Sequence, residues 1–174
     1  MKYVTNPFTG NLIPVLDPTD VVSYQPRMHC RRVADLIIGA DTLVDMPVID
    51  TSYAIDLASG VFTVQEKGIY NVDFFLYIES LGNVDLSAWV EKSTDDGVTW
   101  ENEGHLVMNE LNDSSTSLPL AGLFQLEKND KFRIKLGLTG SGSATAKSKT
   151  FTNSLGVITQ YGLDFSMVKV SDFV

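Results

Sequence analysis

Apolar and polar positions alternate most cleanly between Val61 and Glu79, VFTVQEKGIYNVDFFLYIE, and this stretch predicts two strands joined at a corner. Phe62 and Val64 alternate with polar neighbours, Lys67-Gly68 offers a residue tolerant of positive φ, and the period of two resumes through Tyr70, Val72, Phe74, Leu76 and Ile78. The opposite face of the second strand starts wet at Asn71 and Asp73 and becomes aromatic at Phe75 and Tyr77. A free surface does not favour that change, so the pattern predicts a cover over Phe75 and Tyr77.

The same period marks further strands. VADLIIG and TLVDMPVI are separated by Gly39-Ala40-Asp41, and Pro47 makes the second an edge or irregular strand. In VDLSAWVEKS, Val84, Leu86, Ala88 and Val90 share one face while Trp89 points the other way. A weakly patterned strand passes through Gly104, Leu106 and Met108, and LPLAGLFQLE and KFRIKLGL alternate more regularly around an Asn129-Asp130 turn. TGSGSATAKSKTFTNS, residues 139 to 154, has the composition of a long mobile surface loop. YGLDFSMVKV forms the last strand. Eight to ten strands with turns between them, and no convincing amphipathic helix, predict an all-β antiparallel sandwich or barrel.

Residues 1 to 32 break this regularity. Pro7, Pro14, Pro18 and Pro26 forbid helix and discourage central strands, which predicts an extended N-terminal arm. Tyr3, Phe8, Leu12, Ile13 and Val15 are too apolar for a solvated linker, so the arm is expected to dock on its own domain, another subunit or another protein. The expected organisation is an arm over 1–32 and one β domain over 33–174, a size that suits one domain and not two.

Composition narrows the function. Thirteen Lys and Arg against 22 Asp and Glu leave a net charge of −9, which argues against nucleic acid as partner. The basic cluster of Arg27, Arg31 and Arg32 beside His29 reads as a solvated or subunit-facing patch. Cys30 is the single cysteine, so no intrachain disulfide forms and packing alone must hold the fold. The N-terminus lacks the pattern of a signal peptide and no run is long enough to span a bilayer; synthesis in the cytosol without export is the expectation.

The ordered set FTVQEKGIYNVDFFLYI, AGLFQLEKNDKFRIKL and LDFSMVKV resembles the jelly-roll domain of the tumour necrosis factor and complement globular-head superfamily. In that family a Gly-x-Tyr corner opens the long third strand, a Lys-x-Asp turn follows an apolar strand, and a Phe-Ser-bearing strand closes the domain. Asn129 stands where the turn usually has Gly. The resemblance implies an antiparallel jelly-roll sandwich and a homotrimer packed about a threefold axis, with Phe75 and Tyr77 in the subunit interface. Asn6-Pro7-Phe8-Thr9-Gly10 is similar to a short segment at the start of small tailed-phage virion proteins. That second resemblance implies a virion location, with Asn6 to Gly10 as the anchor to other virion proteins in a head fibre or decoration role.

Candidate chemistry is sparse. Ser93-Thr94-Asp95-Asp96-Gly97-Val98-Thr99-Trp100 matches the Asp-box hairpin of sialidase-like propellers, in which Asp95 bonds turn amides, Gly97 takes positive φ and Trp100 packs under the turn. The box is structural in that family and occurs once here, so a stabilised hairpin outweighs a glycosidase. Asp95 and Asp96 beside Glu91, Glu101 and Glu103 leave calcium as an alternative to simple solvation. His29 and His105 lack zinc-type spacing, and Cys30 next to His29 is not a nucleophile–base pair because strand neighbours point apart. No cofactor motif is present. Trp89 is a candidate contact for a host surface glycan. The expected function is a non-enzymatic, trimeric phage structural protein; the alternative is a receptor-binding or carbohydrate-binding module at a fibre tip.

Overall fold

The computed structural model describes residues 2–5, 12–15, 25–152 and 158–172. These residues form seventeen strands and no helix. In chain order they are β1 (Lys2–Thr5), β2 (Leu12–Val15), β3 (Arg27–Arg32), β4 (Leu36–Ile38), β5 (Thr42–Leu43), β6 (Val48–Tyr53), β7 (Ile55–Ala58) and β8 (Val61–Val64). There follow β9 (Gly68–Leu81), β10 (Asn83–Ser93), β11 (Glu101–Asn112), β12 (Ser115–Leu126), β13 (Lys131–Gly140), β14 (Ser143–Ala146), β15 (Lys149–Thr152), β16 (Ile158–Tyr161) and β17 (Leu163–Ser171). The excess over eight to ten comes from strands of two to four residues, too short to show a period.

Two antiparallel sheets make the jelly-roll sandwich. One runs β11-β10-β13-β8-β7, with β5 also on β13; the other runs β4-β14-β9-β17-β3-β6, with β12 on the far edge of β9. The long strand read from the sequence is the centre of the second sheet. β9 pairs along its whole length with β12 on one side, and on the other with β17 and then β14. Tyr70, Val72, Phe74, Leu76 and Ile78 all face the core, where they meet Leu86, Ala88, Val90, Ile134 and Leu136 of the other sheet's strands. Each such side chain contributes on the order of 1.5–3 kcal/mol relative to exposure. At the centre Phe62 stacks on Phe132 at 4.6 Å between ring centroids and on Phe165 at 4.4 Å, tying the sheets together.

The chain crosses between sheets three times at one end, through Gly82 after β9, through Asp113-Ser114 after β11 and through Ser141-Gly142 after β13. The first two crossings brace each other: Gly82 N donates to Asp113 Oδ1 at 2.6 Å, and Ser80 N donates to Ser114 O at 2.8 Å.

Four expectations change. Arg27–Arg32, read as the end of the arm, are a strand of the sandwich between β17 and β6, so the β domain starts before residue 33. The alternation of Met28 and Cys30 with charged neighbours is its signature, hidden by the prolines upstream. Within the arm, β1 and β2 pair antiparallel with Pro14 opposite Tyr3; both strands are edges, where a missing N–H costs little. Residues 139–152 are not a loop. β13 runs on to Gly140, and β14 pairs with β4 and β9 while burying Ala144 and Ala146. Small side chains that composition assigns to a linker here pack against a core. Lastly, Gly68 is not at positive φ. A Cβ there would lie 2.5 Å from Lys169 Cε and 2.8 Å from Ser171 O, so the position needs the absence of a side chain beside β17.

Candidate functional site

The surface that carries Phe75 and Tyr77 is the outward face of the seven-stranded sheet. Cross-strand register places residues there in rows, because directly paired residues share a face. One row is Leu123, Asn71, Val168, Arg27 and Tyr53; the next is Ala121, Asp73, Ser166, His29 and Thr51; the third begins Pro119, Phe75, Asp164 and Arg31. The face therefore has two unlike halves. Along β12 and β9 it is mainly apolar, with Leu123 67% exposed, Pro119 and Ala121 open, and Phe75 and Tyr77 half-buried, but Asn71 and the exposed Asp73 interrupt it on β9. A shallow cavity of 210 Å3 opens there between Asp73, Phe75, Pro119, Ala121, Asp164 and Ser166.

Along β17, β3 and β6 the face is charged. His29 lies between two carboxylates, with Nε2 2.9 Å from Asp164 Oδ1 and Nδ1 3.3 Å from Asp50 Oδ2. Arg31 Nε is 3.1 Å from the same Asp50 oxygen yet forms no hydrogen bond with it, so that contact is Coulombic. Cys30, one residue along, points into the core and is fully buried. Burial, with Asp164, Asp50 and Asp45 nearby, pushes its thiol up to about 12, and it has no nucleophilic role at neutral pH.

The eight-residue motif forms the turn between β10 and β11. Asp95 Oδ1 accepts from Ser93 Oγ and from Thr99 N, both at 2.8 Å, and Oδ2 accepts from Thr99 Oγ1 at 2.6 Å. These bonds hold the Asp95 carboxyl down at about 2. Gly97 has φ 91° and donates to Ser93 Oγ at 2.8 Å, and Trp100 Nε1 closes the turn on Gly97 O at 3.1 Å. Every oxygen of Asp95 is thus spent on the hairpin itself. The carboxylates weighed for calcium are not brought together. Asp96 pairs with Lys131 at 2.7 Å, Glu91 with Arg133 at 2.6 Å and Glu103 with Lys92 at 2.6 Å. Among the described residues no three His, Cys, Asp or Glu side chains form a metal-type group.

Trp89 lies on the outward face of the other sheet, over Gly137, where a Cβ would come 2.8 Å from the ring. Its indole N–H donates to Glu91 Oε1 at 3.1 Å. Asn6, Pro7, Phe8, Thr9 and Gly10 lie outside the described residues. The charged half of the sheet face was missed from sequence because Asp50, His29 and Asp164 lie on three strands far apart in the chain. Their one local signal was the alternation of Arg27, His29 and Arg31.

No protein family profile and no curated protein matches the sequence. Solved structures do match in shape. Eiger TNF from S. frugiperda superposes with a TM-score of 0.60 at 14% identity, over 86% of this chain and 95% of that one. Murine APRIL at pH 5.0 gives 0.57 at 15% identity, over 84% of this chain and 99% of that one. The fold is a TNF-like jelly roll.

Proposed function

We propose that this TNF-like jelly roll is a non-enzymatic structural protein of a phage virion, assembled as a homotrimer through the outward face of its seven-stranded sheet. The observation that carries the trimer is the split face. A threefold ring repeats one heterologous contact three times, and the exposed apolar patch of this face is what such a contact would cover, with the charged half at its margin. That contact covers Phe75, Tyr77, Pro119 and Leu123 and leaves the His29, Arg31, Asp50 and Asp164 cluster as a polar rim. The resemblance of the domain to a trimeric superfamily supports the same assembly.

The virion role rests on the sequence Asn6-Pro7-Phe8-Thr9-Gly10 and on the apolar character of the N-terminal arm. In this reading the arm attaches the trimer to the capsid or another virion part as a head fibre or decoration protein. Light scattering on the full-length protein tests the assembly: three chains of 19.1 kDa give about 57 kDa, whereas a monomer would remove the basis for it. Deleting residues 1–24, which stops short of β3, tests the anchor. Loss of incorporation with the mass of the trimer retained supports it; unchanged incorporation refutes it. A receptor-binding or carbohydrate-binding module is the second reading, favoured by the Trp89 ring on the outward face of the sheet at Gly137.

A further inference from the structure

A cleft opens on the opposite side of the sandwich, away from the face assigned to the trimer. It measures 410 Å3 and lies between the β7–β8 hairpin and the Asp95 turn, lined by Ala58, Val61, Asp96, Trp100, Lys131 and Arg133 among others. That volume falls in the range of about 300–1,000 Å3 typical of small-molecule sites.

Arg133 is held there from two directions. Its Nε donates to Glu91 Oε2 at 2.6 Å, and its guanidinium carbon sits 4.0 Å above the Trp100 ring. Both supports are themselves fixed: Glu91 Oε1 accepts from Trp89 Nε1, and Trp100 Nε1 donates to Gly97 O. Among the described residues the two Nη groups make no hydrogen bond, so the clamped arginine offers a planar pair of donors to the cleft it lines. Lys131 adds a second cation, and its partner Asp96 is 89% exposed, so that ion pair yields readily to a competing anion. Ala58 and Val61 supply an apolar wall beside this charge.

The chemistry selects the ligand. A rigid two-donor fork matches the two coplanar oxygens of a carboxylate. Inorganic phosphate can also meet the fork but has no face to lay on the apolar wall. The apolar wall suits the C–H face of a ring. The net charge of −9 repels anions from the protein generally, so an anion that binds must be held by local geometry. We propose that this cleft binds an acidic sugar, its carboxylate taking the Nη donors of Arg133 and its ring lying against Ala58 and Val61.

The test titrates the full-length protein with a glucuronate-terminated oligosaccharide and with sialyllactose, read by calorimetry and tryptophan fluorescence. Lactose, acetate and inorganic phosphate are the comparison arms. The expected result is binding of at least one acidic sugar with Kd of about 1 mM or tighter, none of lactose, and acetate or phosphate at least about tenfold weaker. Arg133→Lys keeps the charge and loses the fork, and is expected to weaken the acidic sugar by about tenfold or more. Thr63→Trp fills the cleft from β8 while keeping Arg133 itself and is expected to abolish binding, which keeps the test decisive if the first variant is poorly folded. Absence of binding, equal affinity for acetate or phosphate, or affinity unchanged in folded Arg133→Lys or Thr63→Trp overturns the proposal.

Discussion

Replacing Phe62 by Ala tests whether the two sheets are held by the aromatic stack at their centre. Phe62 is fully buried on β8 in one sheet, and its ring contacts Phe132 on its own sheet at 4.6 Å and Phe165 on the other at 4.4 Å. Phe132 and Phe165 are 6.3 Å apart and tilted, so they do not close over the space that Phe62 fills. Truncation therefore removes the buried ring, its two ring contacts and the packing around them, and the expected loss is about 3–5 kcal/mol. For a domain of this length each kcal/mol moves Tm by about 2–4 °C, so Tm should fall by roughly 6–20 °C. Urea and thermal unfolding at one fixed protomer concentration read this without the shift that assembly adds. Phe62→Leu keeps most of the buried area and should lose clearly less. A loss below about 1 kcal/mol for Phe62→Ala, the scale of a surface change, would show that the stack does not join the sheets.

Phe75→Glu or Tyr77→Glu should shift the protein from three chains to one in light scattering while far-ultraviolet circular dichroism stays constant, since both side chains lie outside the core; an unchanged mass removes them from the interface. Cys30 should resist a thiol reagent in the folded protein, because a pKa of about 12 leaves roughly one thiolate in 10⁴ at pH 8; labelling as fast as in urea would contradict its burial. Asp95 has its carboxyl lowered from 3.8 to about 2, so its contribution to stability is complete above pH 3.8 and is lost as pH falls through about 2. Asp95→Ala should therefore be less stable than the parent by a constant amount at neutral pH, with the gap closing below pH 3.8; a gap that widens in acid reverses the assignment. Gly137→Ala should displace the Trp89 ring, seen as a change in indole fluorescence, because the new Cβ would come 2.8 Å from the ring and 2.9 Å from Ser87 Oγ.

How much of the site was legible depends on the kind of signal each residue leaves. Phe75 and Tyr77 were visible because two aromatics at a spacing of two, opposite an apolar face, conflict with a free surface. The hairpin at Asp95 was visible because its hydrogen bonds span four residues or fewer. Arg133 leaves no signal in the sequence beyond a charged, outward position in the regular alternation of KFRIKLGL. Its partners, Glu91 and Trp100, are brought to it by the pairing of β10 with β13, which no local pattern announces.

By itself the sequence determined the long strands and the faces they present, since alternation at a period of two depends only on neighbours along the chain. It thereby determined an all-β fold, most of the core and the position of the main turns. Tertiary structure alone decided what non-local pairing controls. It drew Arg27–Arg32 into a sheet next to β17, 131 or more residues later, and it made strands of residues 139–152 by giving Ala144 and Ala146 a core to enter. It also made Gly68 a matter of space against Lys169 and not of turn conformation. Short polar segments carry too little burial to choose a conformation alone; they take the one that a neighbouring strand's unpaired backbone offers.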